Sequence, residues 1–228
     1  DASHAIGGTY KNQPIGSCKY SDITVFSFHP VKIITTGEGG VATTNDFFLA
    51  EKMKQLRSHG ITKNWHEFNY KNEGPWHYEQ INLGFNYRMT DIQAALGLSQ
   101  LKKLKRIIEE RNKLLEFYKS ITKNLEICFL KIPQDCISSV HLAILQFNNI
   151  SPVEHKTIFE KMRINNIGVQ LHYIPIHLQP FYKKLGFKKG DFPNSEIYYK
   201  KSMSLPLYPG LKRKNQIKVI KILTDLLI

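Results

Sequence analysis

The chain has 228 residues, 32 of them lysine or arginine and 19 aspartate or glutamate, for a net charge of +13. Hydrophobic residues make up 42%, close to the globular share of roughly 45% and far above what a disordered chain carries. No apolar run reaches the ~20 residues of a membrane helix, so the charge points to a globular protein whose partners are anionic: nucleic acid, phosphorylated metabolites or a membrane surface.

Residues 8–16 predict a hairpin, with Lys11-Asn12-Gln13-Pro14 at its turn. Residues 23–28 are rich in β-branched and aromatic side chains and predict a buried strand. Gly37-Glu38-Gly39-Gly40 predicts a turn between residues 33–36 and a strand over 41–44, and Asn45 or Asp46 is placed to cap a helix running to about Ser58. Residues 60–82 are aromatic and polar, longer than the roughly 15 residues beyond which a loop is usually functional or mobile. Thr90-Asp91-Ile92-Gln93 has capping-box form. Behind it Leu96, Leu101, Leu104, Ile107, Ile108, Leu114, Leu115 and Tyr118 recur at helical spacing, predicting one long helix with a bend. Near Asn124 the texture changes to short strands at 126–130 and 141–147, a helix at 153–165, a strand at 169–173, proline-rich loops, and a terminal helix over 214–228. That alternation predicts an α/β chain with a boundary near residue 125: a larger domain over 1–125 and a smaller α/β domain over 126–228.

Cys18, Cys128 and Cys136 form no CxxC pair and leave an odd thiol. This suits a reducing compartment, with cytoplasmic location the expectation, and gives no metal site. The lysine clusters at 102–106 and 212–214 fall on or beside helical patterns and read as solvated faces. The chemistry concentrates at Ser27-Phe28-His29-Pro30-Val31-Lys32 and the glycine-rich turn that follows. There a serine at a strand tip can hold a phosphate, and a lysine in a partly desolvated pocket can act as an amine nucleophile.

Asp1-Ala2-Ser3-His4-Ala5, Phe26 to Lys32, Thr35 to Gly40, Arg57-Ser58-His59-Gly60 and Gly84 to Ala95 follow one another in the order of the signatures of the DegT/DnrJ/EryC1/StrS family, and the chain resembles that family through His172-Tyr173-Ile174-Pro175 and Ser204-Leu205-Pro206-Leu207. The resemblance implies a fold type I, aspartate-aminotransferase-like PLP-dependent transferase, with an incomplete large domain and a small C-terminal α/β domain. It also implies pyridoxal 5′-phosphate (PLP) as cofactor. Within the family the chain looks most like enzymes that aminate C4 of a UDP-linked 4-keto-6-deoxy-N-acetylhexosamine in pseudaminic acid synthesis. Glutamate would give up its amino group and leave as 2-oxoglutarate before the keto-sugar is aminated.

Residue by residue, Lys32 matches the lysine that joins PLP covalently and moves protons. Asp1 matches the carboxylate paired with the pyridine nitrogen, His4 the position beside the ring and its phenolic oxygen, and Ser27 the hydroxyl on the cofactor phosphate. Asn86 matches a residue that reaches the phosphate from the neighbouring subunit, which implies a homodimer with shared active sites. His29, Arg88, His172, Tyr173 and His177 are candidates for the substrate side. The family carries a large portion before the Asp-x-x-His segment, and the chain opens on Asp1. The expectation is therefore a piece of a longer enzyme, its remaining portion either on another chain or trimmed away. Alone, it would bind PLP poorly and be inactive. The alternatives are an inactive remnant, or a basic nucleic-acid-binding or regulatory protein on the same fold. Nucleic acid is not the expected partner, nor is a membrane.

Overall fold

The computed structural model describes residues 1–227. The chain divides into two compact units, the first comprising Asp1–Lys105 with Asp135–Ile137 and the second Arg106–Gln134 with Ser138–Ile228. The division therefore falls at Lys105 rather than near residue 125. The reason is the long helix, whose apolar stripe belongs to the second unit's core: Leu115 and Tyr118 are buried there with Leu145, Met162, Met203 and Leu223.

In the first unit, β1 (Thr9–Tyr10) and β2 (Gln13–Pro14) form the expected hairpin, but the turn is shorter than predicted, because Gln13 and Pro14 pair with Tyr10 and Thr9. Its turn residues Lys11 and Asn12 both adopt positive φ, at 47° and 59°, the twist a tight two-residue hairpin demands. β3 (Thr24–Ser27) pairs antiparallel with β4 (Gly40–Thr43). Residues 33–36 form no strand but fold into the connecting loop, with Ile33, Ile34 and Thr36 buried. α1 (Phe47–Arg57) is capped by Asp46, whose side chain accepts from Leu49 N. The aromatic stretch is pinched at its base by β5 (Ile61–Thr62) and β6 (Glu79–Gln80) and contains a 3-10 turn at Trp65–Glu67. α2 (Asp91–Leu101) starts on the predicted capping box, Gln93 N donating to Thr90 Oγ1 at 3.3 Å and Thr90 N to Gln93 Oε1 at 2.9 Å. The β3–β4 ribbon buries Phe26 and leaves Val25 exposed on its other face; Val41, opposite Phe26, is exposed as well.

The long helix is two: α3 (Leu104–Ile121) follows α2 after a break at Lys102-Lys103 and carries the stripe into the second unit. There β7 (Ile127–Phe129), β9 (Ala143–Phe147) and β10 (Ser202–Leu205) form an antiparallel sheet in the order β10-β9-β7. β8 (Cys136–Ile137) instead joins β1 in the first unit. α4 (Pro152–Ile164) opens on a Ser151–Glu154 capping box. A 3-10 turn at Ile176–Leu178, α5 (Pro180–Lys184) and α6 (Pro193–Lys201) occupy the stretch expected to be loops, and α7 (Arg213–Leu227) closes the chain. The strand expected over 169–173 is a single bridge, Gln170 to Ser204. Its own side chain ends the ladder, since Gln170 Oε1 accepts from Leu171 N at 3.0 Å.

Candidate functional site

The first cluster is built on β3. Ala2 N donates to Val25 O at 2.8 Å, which lays the chain's first residues alongside that strand. Asp1 is exposed, and its Oδ1 caps the turn by accepting from Ser3 N at 2.8 Å. His4 lies half-buried in that turn. Ser27 is the last residue of β3, half-buried, its Oγ accepting from His29 N at 3.4 Å. His29 is exposed beside Glu38, Nε2 to Oε1 3.9 Å. Lys32 follows in a tight turn, its backbone N donating to His29 O at 2.9 Å. The side chain is half-buried, and among the described residues no hydrogen bond or ion pair holds its amine.

The loop that returns to β4 is closed on one carbonyl: Phe28 O accepts from Thr36 N and Thr35 Oγ1, each at 3.0 Å. Thr36 Oγ1 and Gln93 Nε2 then hold Glu38 O at 2.7 and 3.0 Å. Gly39 must be glycine here, because it adopts φ +157° and a Cβ would run into the Thr36 hydroxyl. A carboxylate, a hydroxyl and an unengaged amine thus stand along one strand and the turn that leaves it. This donor set fits PLP: an acceptor for a ring N–H, a donor for phosphate, and an amine able to condense with an aldehyde. Asn86 and Arg88 are exposed elsewhere in the same unit, on a segment zipped to the end of α1 by Phe85 O accepting from His59 N and Tyr87 N donating to Arg57 O, each at 2.9 Å.

In the second unit, His172 Nδ1 lies 2.8 Å from Ser204 Oγ, and its carbonyl accepts from Tyr198 OH at 3.1 Å. Tyr173 is exposed, edge-on to the His172 ring at 4.8 Å. His177 is turned inward. It is buried with Nε2 3.0 Å from Glu196 Oε1, and the same oxygen accepts from Gly190 N at 2.6 Å. The Gly190 amide and His177 hold the Glu196 carboxyl below the usual carboxylate range, so His177 serves the frame rather than an open surface.

Sequence reasoning missed two anchors. Glu196 sits in a polar helix start and gave no signal. Glu79 was passed over inside the aromatic stretch, yet its carboxylate accepts from Asn69 N at 2.6 Å and Tyr70 N at 2.8 Å and lies 3.4 Å from His77 Nε2. Burial alone would raise its pKa, but these hydrogen bonds outweigh it and hold it below the usual range. Among the described residues no cluster of metal ligands occurs, and no helix is long and apolar enough to cross a membrane.

Residues 1–224 match the model of the DegT/DnrJ/EryC1/StrS aminotransferase family. The chain is 40% identical over 217 residues to a Campylobacter jejuni protein named UDP-4-amino-4,6-dideoxy-N-acetyl-beta-L-altrosamine transaminase, covering 94% of the chain and 54% of the relative. Among solved structures it resembles the PLP form of the Streptococcus pneumoniae sugar aminotransferase Spr1654 (TM-score 0.89, 31% identity, 100% of this chain and 58% of that one). It also resembles Helicobacter pylori PseC, an aminotransferase of pseudoaminic acid biosynthesis (TM-score 0.88, 33% identity, 100% and 58%). The chain therefore spans little more than half the length of the proteins it matches.

Proposed function

Because the chain belongs to the DegT/DnrJ/EryC1/StrS aminotransferase family, we propose that it carries the lysine-bearing part of a PLP-dependent aminotransferase acting on a UDP-linked 4-keto-6-deoxy-N-acetylhexosamine, with glutamate as amino donor. The observation that carries this reading is the Lys32 amine, half-buried and unengaged among the described residues, in the turn that leaves Ser27 at the end of β3.

When bound, PLP supplies an electron sink for the carbanion formed as the donor loses its α-proton. Asp1 would keep a proton on the ring nitrogen, since a carboxylate there favours the cationic ring. The Ser27 hydroxyl would donate to a phosphate oxygen, a charge-assisted bond. His4 would sit beside the ring's phenolic oxygen. Lys32 Nζ would hold the cofactor between turnovers and, once released, take the α-proton of the amino donor as a general base. It would return a proton when the sugar carbon is aminated. Asn86 would reach the phosphate of a second subunit, making a homodimer with shared sites. In the first unit, His29 and Arg88 would face the sugar nucleotide. The portion of the relatives that precedes the matched segment would complete the site, on the same or another chain, in the cytoplasm.

The test is borohydride trapping with PLP, read by peptide mass. It is run on the chain alone and on the chain mixed with the preceding segment of the Campylobacter relative. Label on Lys32, absent in Lys32→Ala and stronger in the mixture, is the expected result. Equal label across surface lysines in both samples would overturn the reading.

A further inference from the structure

Gln93 stands at a position where glutamate would serve the helix as well. It is the third residue of α2, and the capping box asks of it only an acceptor: Oε1 takes Thr90 N at 2.9 Å. The box that opens α4 fills the same place with Glu154, whose Oε2 takes Ser151 N at 2.8 Å. The two side chains differ by a donor, since a carboxylate only accepts and an amide also carries an NH2 group. Gln93 uses that group. Its Nε2 donates at 3.0 Å to the carbonyl of Glu38, 55 residues earlier in the chain.

That carbonyl belongs to the turn that carries Lys32. The turn leaves β3 at Phe28 and returns to β4 at Gly39. Its limbs are closed by Phe28 N donating to Gly39 O at 2.8 Å and Thr36 N donating to Phe28 O at 3.0 Å. Lys32 lies between them, followed by Ile33 and Ile34, both buried. On the returning limb Glu38 O takes two donors, Thr36 Oγ1 at 2.7 Å from within the turn and Gln93 Nε2 from outside it.

A second contact joins the same helix to the same limb. Residues four apart share one face of a helix, and Gly97, four on from Gln93, is buried on α2. A Cβ at Gly97 would stand 2.8 Å from Thr36 Cγ2, so the helix backbone lies close against Thr36. α2 therefore meets the turn by packing at Gly97 and by a directed hydrogen bond at Gln93. Among the described residues nothing holds the Lys32 amine, so its place is set by the backbone beneath it, and Gln93 fastens that backbone from outside.

We propose that Gln93 is a positioning residue for Lys32, its amide fixing the turn that presents the amine. The use of that amine on PLP rests on the aminotransferase reading above; the hold on the turn does not. Two substitutions separate this role from helix stability. Gln93→Glu keeps the acceptor that caps α2 and removes only the donor. Thr90→Ala weakens the cap and keeps the donor. The chain is mixed with the preceding segment of the Campylobacter relative, treated with PLP and borohydride, and read by peptide mass. In Gln93→Glu the label on Lys32, relative to the surface lysines, should fall about tenfold, because a misplaced amine reacts slowly. Amide hydrogen exchange at Phe28 and Thr36, measured on the chain without PLP, should quicken about fivefold or more. The melting temperature should stay close to the parent's. Thr90→Ala should melt earlier, yet keep the Lys32 share of label and the parent's exchange at Phe28 and Thr36. Parent-like exchange at those two amides in Gln93→Glu would overturn the proposal. So would losses that simply follow melting temperature across the two variants, which would leave Gln93 a stabiliser of the fold and nothing more. Full Lys32 label in Gln93→Glu sinks the positioning role and spares the aminotransferase reading. A parent with no preference for Lys32 sinks that reading, and the exchange at Phe28 and Thr36 then decides the hold by itself.

Discussion

Arg111 shows how much one side chain can hold. It is buried on α3, and its Nη1 reaches Val140 O, His141 O and Leu207 O at 3.4, 3.1 and 3.3 Å. No carboxylate stands among these three partners, Nε finds no acceptor among the described residues, and burial pushes its pKa down. Arg111→Ala would leave three carbonyls short of a donor and should cost about 3 kcal/mol in urea unfolding. Arg111→Lys should recover only part of this, because the shorter lysine stem stops its ammonium before the Nη1 position where the three carbonyls converge. A cost below about 0.5 kcal/mol, that of an ordinary surface change, would show that the hub is ornamental. His155 on α4 makes a pH-dependent case. Burial lowers its pKa from 6.5, against the raising effect of Ser202 O, which lies 3.0 Å from Nε2. A depressed histidine binds its proton more readily when unfolded, so its contribution is complete above the unfolded value and is lost as pH falls towards the folded one. Stability should therefore decline as pH drops below 6.5, and His155→Phe should flatten that slope. An unchanged slope in the variant would assign the effect to other groups.

Glu79 does for a whole segment what Arg111 does for a core. The stretch between β5 and β6 presents Trp65, Tyr70, Trp76 and Tyr78 to solvent, so few apolar contacts hold it. Its order depends on one carboxylate taking the amides of Asn69 and Tyr70. Glu79→Ala should erase hydrogen-exchange protection at those two amides and open the stretch to protease while leaving α4 and α7 protected. Because Glu79 is held below the carboxylate range, the wild-type stretch should stay pinned at neutral pH and loosen only as pH falls below 4.5. Protection that survives in Glu79→Ala would place the anchor elsewhere. Which elements could be read in advance follows from the same physics. Thr90–Gln93 and the Lys11-Asn12 turn carry their own local chemistry, so their neighbours in sequence sufficed. β10, Ser-Met-Ser-Leu, alternates polar and apolar over only four residues and follows α6 with no break to announce it, and β8 pairs with a strand more than a hundred residues away. The placement of Ser27 and Lys32 beside a glycine-rich turn was legible because a strand, its tip and its turn are contiguous. The fastening of His177 by Glu196 was not, because two loops must first come together.

At the level of the whole chain, the two units differ in how much apolar surface they bury. The second has one continuous core running from Leu115 and Tyr118 through Leu145, Met162 and Met203 to Leu223, all at 5% exposure or less. The first buries fewer apolar side chains, Phe26, Phe28, Ile33 and Ile34 among them, while Phe47, Phe48, Phe85 and Tyr87 stay exposed. Burial is the dominant favourable term in folding, so the second unit should be the more resistant. Limited proteolysis of the chain alone should cut first within residues 1–105 and leave a stable fragment beginning near Arg106. The Asp135–Ile137 segment would lose its partner β1 in that fragment, and since only two residues of β8 are paired the loss should be slight. Leu223→Ala, which removes a fully buried side chain on α7, should cost about 3 kcal/mol and destabilise that fragment. Val25→Thr on the exposed face of the ribbon should leave it unaltered. If the resistant fragment instead came from residues 1–105, the weight of the fold would lie with the β3–β4 ribbon. The unengaged Lys32 would then stand on the sturdier of the two units, and that unit would need no completing segment to hold its shape.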